Sequence, residues 1–228
     1  MRSPLAVPVA GAVVALLVLV GMLLTTHERR AFTLGVPLYG PATTLAPRDE
    51  ICQAPVGLPD RESDFDRVAF VLATTHGRPG PQVDLTLKSL DGAPIARGHV
   101  PGGYAPSSQI QQVVDVGRVT TRTPMRVCLR NAGALPVAVF GSGDLASRTS
   151  TAALNGTPLG IDVAFSFEHA EPRSSLSLLP TLLNRMALWR AGWLGGWTYW
   201  LLAAGVLLAV PLLLFVALRE VLADASRA

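Results

Sequence analysis

Two charge-free apolar runs bracket this 228-residue chain, and no other feature restricts its fold as strongly. Between Arg2 and His27 no residue is charged, and Leu5 to Leu24 is almost wholly apolar. From Ala191 to Leu218 there is again no charge. About 20 apolar residues cross a hydrocarbon core of ~30 Å. The second run, as helix, covers about 42 Å, enough to cross with tilt. We therefore expect an N-terminal transmembrane signal-anchor over 1–26, a C-terminal transmembrane helix over 192–218 and a cytoplasmic tail over 219–228. The alternative for the first run is a cleaved signal peptide. Such peptides carry an apolar region of about 7–15 residues and an A-x-A-like cleavage site. This run is longer and ends in Leu24-Thr25-Thr26-His27.

Trp193, Trp197, Tyr199 and Trp200 crowd the start of the second run, with Trp189 just ahead of it. Amphipathic rings favour the headgroup level, so this end reads as a membrane interface. Pro211 is tolerable inside a membrane helix. Gly195, Gly196 and Gly205 permit close helix contact, without a GxxxG spacing.

Two crossings put both termini on one side. The arginines do not choose the side, because long connecting domains translocate largely regardless of charge. The start Met1-Arg2-Ser3-Pro4 before an apolar run resembles a signal-anchor. The middle region is β-patterned and holds both cysteines, Cys52 and Cys128. An even cysteine count in an exported domain points to a disulfide. Closing a loop of that length contributes about 4 kcal/mol on a chain-entropy estimate; the alternative is two buried free thiols. The expectation is thus a two-pass protein of the cell membrane, with cytoplasmic termini and an extracytoplasmic central domain.

Composition narrows the middle region further. Residues 27–190 hold 16 basic and 14 acidic side chains, and Lys88 is the one lysine of the chain. Without a basic run, no nucleic-acid partner is expected. The hydrophobic pattern there has period two. Val68, Phe70 and Leu72 share a face; Val83, Leu85 and Leu87 alternate with Asp84, Thr86 and Lys88; Met125, Val127 and Leu129 alternate with Arg126, Cys128 and Arg130. Asp91-Gly92 and Asn155-Gly156 are hairpin turn signals. Further strands are expected at Ile95–Val100, Ile110–Val116, Leu135–Phe140 and Ile161–Phe167. About eight strands, with no convincing helix among them, predict an antiparallel β-sandwich or jelly roll over 50–170. Ala31 to Glu50, with Pro37, Pro41 and Pro47, reads as part of a stalk or linker over 27–49. Leu179, Leu182, Leu183, Met186 and Trp189 recur at helical spacing, predicting an amphipathic helix over 173–191. It would lie on the outer leaflet, with Ser174, Ser175 or Ser177 as its cap; the alternative is a helix packed on the sandwich.

Catalytic signatures are missing. There is no GxSxG elbow, no HExxH and no CxxC, and the four histidines have no ligand spacing. Gly141-Ser142-Gly143-Asp144 lacks the third glycine of a dinucleotide fingerprint and reads as a turn. We expect neither an enzyme nor a cofactor. Asp60, Glu62, Asp64 and Asp66 crowd oxygen ligands as a calcium site does, but the spacing lacks the glycine of an EF-hand loop and a solvated acidic turn explains them better. Tyr104, after Pro101-Gly102-Gly103, is either a loop-tip ligand contact or a lid on the core. All four tryptophans fall within 189–200, so the sandwich has none for stacking on sugars. Asn155-Gly156-Thr157 fits a glycosylation acceptor, but the Asn-Gly turn explains it better.

Four stretches carry a resemblance: Cys52-Gln53-Ala54-Pro55-Val56; Gly77-Arg78-Pro79-Gly80-Pro81; Val127-Cys128-Leu129-Arg130-Asn131-Ala132-Gly133; and Arg173-Ser174-Ser175-Leu176. Over roughly residues 50–220 the chain resembles the galactose-binding-like sandwich domains of actinobacterial envelope proteins, which occur with glycosyltransferases and polysaccharide-assembly machinery. The resemblance implies a setting in the cell envelope and structural rather than catalytic motifs. Two functions follow as expectations. One is a non-catalytic accessory whose sandwich contacts an envelope glycan or a membrane glycosyltransferase, alongside the lipid bilayer. The other is a scaffold subunit that associates through its transmembrane helices.

Overall fold

The computed structural model describes residues 6–56, 64–74, 78–105, 110–120, 123–143, 151–188 and 196–225. Side chains at 6–9, 12, 55, 151, 184–188, 210–211, 214–215 and 218–225 lie outside the described set. The chain divides into a helical unit, Met1–Glu28 with Pro172–Ala228, and a β unit, Arg29–Glu171.

The helical unit holds α1 (Ala6–Thr25), α2 (Ser175–Leu188) and α3 (Gly196–Ala225). Among the described residues no helix is long and apolar enough to cross a membrane. The helices themselves fall where the apolar runs predict them. α3 continues past the expected end at 218, because Arg219-Glu220-Val221-Leu222-Ala223 is built of good or tolerable helix formers. The expected tail over 219–228 is therefore helical as far as Ala225. α2 starts after Ser174, whose Oγ accepts the Ser177 N–H at 3.3 Å, a side-chain N-cap. Thr26 O, just past α1, accepts both the Ser175 N–H at 2.9 Å and the Ser175 hydroxyl at 3.2 Å. The two helix ends are thereby tied together.

The β unit is mainly antiparallel and sandwich-like. Its strands are β1 (His27–Thr33), β2 (Gly40–Leu45), β3 (Glu50–Val56), β4 (Phe65–Ala73), β5 (Val83–Ser89), β6 (Pro94–Val100), β7 (Gln111–Val119), β8 (Met125–Asn131), β9 (Val137–Ser142), β10 (Thr151–Leu154), β11 (Thr157–Pro158), β12 (Asp162–Val163) and β13 (Ser166–Ser174). A seven-stranded sheet runs β1-β13-β4-β9-β12, with β2 also on β9 and β7 also on β4. A six-stranded sheet runs β11-β10-β3-β8-β5-β6. One core joins them. Val83, Leu85, Leu87, Val127 and Leu129 of the smaller sheet are buried with Val68, Phe70, Leu72, Val137 and Val139 of the larger. Phe167 anchors one end, stacked on Phe32 at 4.3 Å between ring centroids and edge-on to Phe65 at 4.8 Å.

The expected hairpin at Asp91-Gly92 joins β5 to β6, with Ser89 N–H donating to Ala93 O at 2.8 Å. Asn155 and Gly156 both take positive φ, 49° and 85°, the signature of a type I′ turn between β10 and β11. The stalk expected over 27–49 is not a linker, since it contributes β1 and β2 and buries Ala31, Phe32 and Leu45. Its prolines misled because Pro41 sits where β2 pairs only with β9, a lone edge that tolerates a missing donor. Among the described residues, thirteen strands replace the expected eight or so. The predicted Ile161–Phe167 strand divides as the chain passes from β9, beside β12, to β4, beside β13.

Candidate functional site

The outward face of the six-stranded sheet carries a disulfide, an ion pair and three arginines. Register sets its composition. β8 sends Met125, Val127, Leu129 and Asn131 into the core and turns Arg126, Cys128 and Arg130 the other way. Across the sheet, Cys128 lies opposite Thr86 of β5 and Cys52 of β3; Arg130 lies opposite Asp84 and Glu50; Arg126 lies opposite Lys88. On β6, Arg97 faces Thr86 and His99 faces Asp84.

The expected disulfide is present at the centre of this face. Cys52 and Cys128 are a directly opposed pair with Cα atoms 4.0 Å apart. Cys128 is nonetheless buried, although it points away from the core. Lys88 Nζ meets Glu50 Oε1 at 2.8 Å. A Glu50 carboxylate oxygen and the two sulfurs lie within 4.8 Å of one another. The Glu50–Lys88 ion pair therefore roofs the bridge. Oxidised sulfurs offer no thiolate, so this trio is not a metal site in the bridged protein.

Tyr104 is folded inward. Its ring packs over Gly80, where any Cβ would collide with it, and Gly80 N–H donates to Tyr104 O at 2.9 Å. Burial pushes its hydroxyl pKa up to about 12, and that hydroxyl has no hydrogen-bond partner among the described residues. The aromatic side chain that does stand out is Tyr39, 77% exposed beside exposed Leu38. Sequence reasoning passed over it. The signal was Pro37-Leu38-Tyr39-Gly40-Pro41, a ring between two prolines of fixed φ.

Of the acidic cluster only Asp64 and Asp66 fall among the described residues. Asp60 and Glu62 lie outside the described residues. Asp64 pairs with Arg118 at 2.7 Å, and Asp66 accepts the Ala170 N–H at 3.1 Å. These two carboxylates thus serve two separate contacts. Gly141 and Ser142, expected in a turn, close β9. Of the two strand histidines, His169 is buried and His99 exposed.

Buried polar groups cross-link the layers. Gln53, fully buried, accepts the Val163 N–H at 2.6 Å across the sandwich. Asn131, also fully buried, donates to Leu45 O and Leu135 O at 3.0 and 2.8 Å and accepts from Gly133 N–H. Asp162 is buried with Oδ1 unpaired among the described residues, and burial raises its pKa. Asn155 is occupied twice, donating to Asp49 at 2.8 Å and accepting from Glu50 N–H at 2.9 Å, so its amide serves the turn.

In the helical unit, large apolar side chains face outward: Leu17 is 65% and Leu208 74% exposed. Trp197 and Trp200 are exposed near the start of α3 with Tyr199 between them, while Trp189 and Trp193 lie outside the described residues. No protein-family model matches the sequence, and no curated protein is significantly similar to it.

Proposed function

We propose that this chain is a non-catalytic accessory protein of the cell envelope, held in the membrane by α1 and α3 with both termini cytoplasmic. On this reading the sandwich, of galactose-binding-like kind, stands outside the cell and contacts an envelope glycan or a membrane glycosyltransferase. One observation carries the reading: large apolar side chains are exposed along both helices, while most of those in the β unit are buried. Water does not favour such helix surfaces, and lipid does. The sequence supports the reading as well, since its charge-free runs between Arg2 and His27 and from Ala191 to Leu218 extend past the described parts of both helices. A disulfide in the sandwich fits an oxidising compartment.

The topology is tested with single cysteines added to the otherwise bridged chain. Leu90→Cys should react with a membrane-impermeant maleimide on intact cells, and Ala228→Cys only after permeabilisation. Equal labelling of both, or recovery of the chain in the soluble fraction, overturns the reading. The scaffold reading has its own support. Gly11, Gly21 and Gly205 lie on open helix surface, where another helix can approach closely. Crosslinking that depends on these glycines and is indifferent to the sandwich would favour it.

A further inference from the structure

We infer that the outward face of the six-stranded sheet is a binding surface for an acidic, carboxylate-bearing polysaccharide, gripped by Arg97, Arg126 and Arg130. The inference rests on the glycan reading above and assigns it a surface and a ligand class.

The charge inventory of that face is uneven. Lys88, Arg97, Arg126 and Arg130 stand against Glu50 and Asp84, an excess of two positive charges. Both carboxylates are already engaged, Glu50 with Lys88 at 2.8 Å and Asp84 with the Gln82 amide at 3.0 Å. Arg97, Arg126 and Arg130 take part in no ion pair among the described residues. Arg97 and Arg130 are exposed and Arg126 half-buried. The guanidinium groups therefore stand ready for carboxylates brought from elsewhere, in the bidentate geometry arginine favours.

Spacing favours a polymer over a small anion. Arg126 and Arg130 are four residues apart on β8, about 13 Å along the strand, and Arg97 is two strands away, about 10 Å across the sheet. No single carboxylate reaches all three, whereas a chain with a charge on every unit meets them in turn. Surroundings favour a glycan over a lipid surface. Among the described residues, none of the large hydrophobic side chains exposed to solvent belongs to β3, β5, β6, β8 or β10. A membrane-binding face ordinarily adds apolar insertion to its cations. With no tryptophan in the sandwich, charge takes the role that ring stacking has in neutral-sugar sites.

The full-length protein in phosphatidylcholine nanodiscs is titrated with polygalacturonate, with neutral dextran and with phosphatidylglycerol vesicles. Binding of polygalacturonate is expected, weakening about tenfold as salt rises from about 0.05 M to about 0.5 M. The triple variant Arg97→Gln/Arg126→Gln/Arg130→Gln should lose at least about tenfold in affinity, and the matching Arg→Lys triple should retain part of it. If the Gln triple does not fold, Arg97→Gln and Arg130→Gln alone, both at exposed positions, should each lose about threefold. Polygalacturonate binding indifferent to the arginines overturns the inference. So does vesicle binding with the same arginine dependence. Dextran binding without polygalacturonate binding overturns the inference and leaves the glycan reading standing. No binding to either polymer counts against both.

Discussion

The helical unit and the β unit spend their apolar side chains in opposite ways. In the β unit Phe65, Phe70, Leu72, Leu85, Leu87 and Phe167 are essentially inaccessible. In the helical unit Leu17, Leu208 and Leu213 stand exposed on the helix surface. The first pattern is how a domain folds in water, where burying a large apolar side chain contributes about 1.5–3 kcal/mol. The second yields no such gain in water, and the proposed membrane setting rests on that difference. The change between the two patterns falls at the α1–β1 and β13–α2 joins.

The contrast breaks most visibly at the aromatic cluster. Phe167→Ala should destabilise the sandwich by about 3–5 kcal/mol, read as a shift in the urea midpoint of the β-sheet circular dichroism signal. A change under about 1 kcal/mol would mean the stack of Phe32, Phe65 and Phe167 is not the structural centre it resembles. Opening the Cys52–Cys128 bridge by Cys52→Ala/Cys128→Ala should cost about 2–5 kcal/mol by the same measurement. That loss should be confined to the β unit.

Asn131→Ala should cost about 1–3 kcal/mol, because it leaves the buried Leu45 O and the half-buried Leu135 O without their donor. Asp162 sharpens the comparison through pH. Its folded pKa is raised by burial, so the folded state holds the proton more tightly than the unfolded state does. The stabilisation is full below the unfolded value of about 3.9 and is lost as pH rises through the folded value. Asp162→Asn should flatten this component of a stability-versus-pH curve. An unchanged curve would remove Asp162 from the account. The smallest effect is expected at Leu17→Ala, within about 0.5 kcal/mol of the parent in detergent, since no core cavity opens there.

Much of the β unit was legible because alternation, turn chemistry and cysteine count are local signals. The positions Val83, Leu85 and Leu87 face the core as their spacing required, and Asn155-Gly156 makes the turn its composition demands. Three features were not legible, each for a physical reason. β1 reads exposed along its first four residues, so only Phe32 meeting Phe167 from the far end of the chain shows that it is structural. Gln53 and Asn131 look like surface residues until their partners, supplied by distant strands, are in place. Tyr39 carried no sequence signal for its exposure beyond its flanking prolines, and Tyr104, open between a ligand contact and a lid, folds inward where glycine at position 80 leaves room for its ring. The basic face was equally hidden. Arg97, Arg126 and Arg130 are scattered in sequence and meet only through register.

The bridge between β3 and β8 also has a topological meaning. It closes the chain from Cys52 to Cys128 into a covalent ring that contains β4, β5, β6 and β7, with both remaining segments leaving from adjacent strands. A protease that cuts once anywhere inside that ring leaves a single molecule. The nicked protein would migrate as one species without reductant and as two fragments with it. The two fragments would stay joined at the β3–β8 ladder, where the bridge lies.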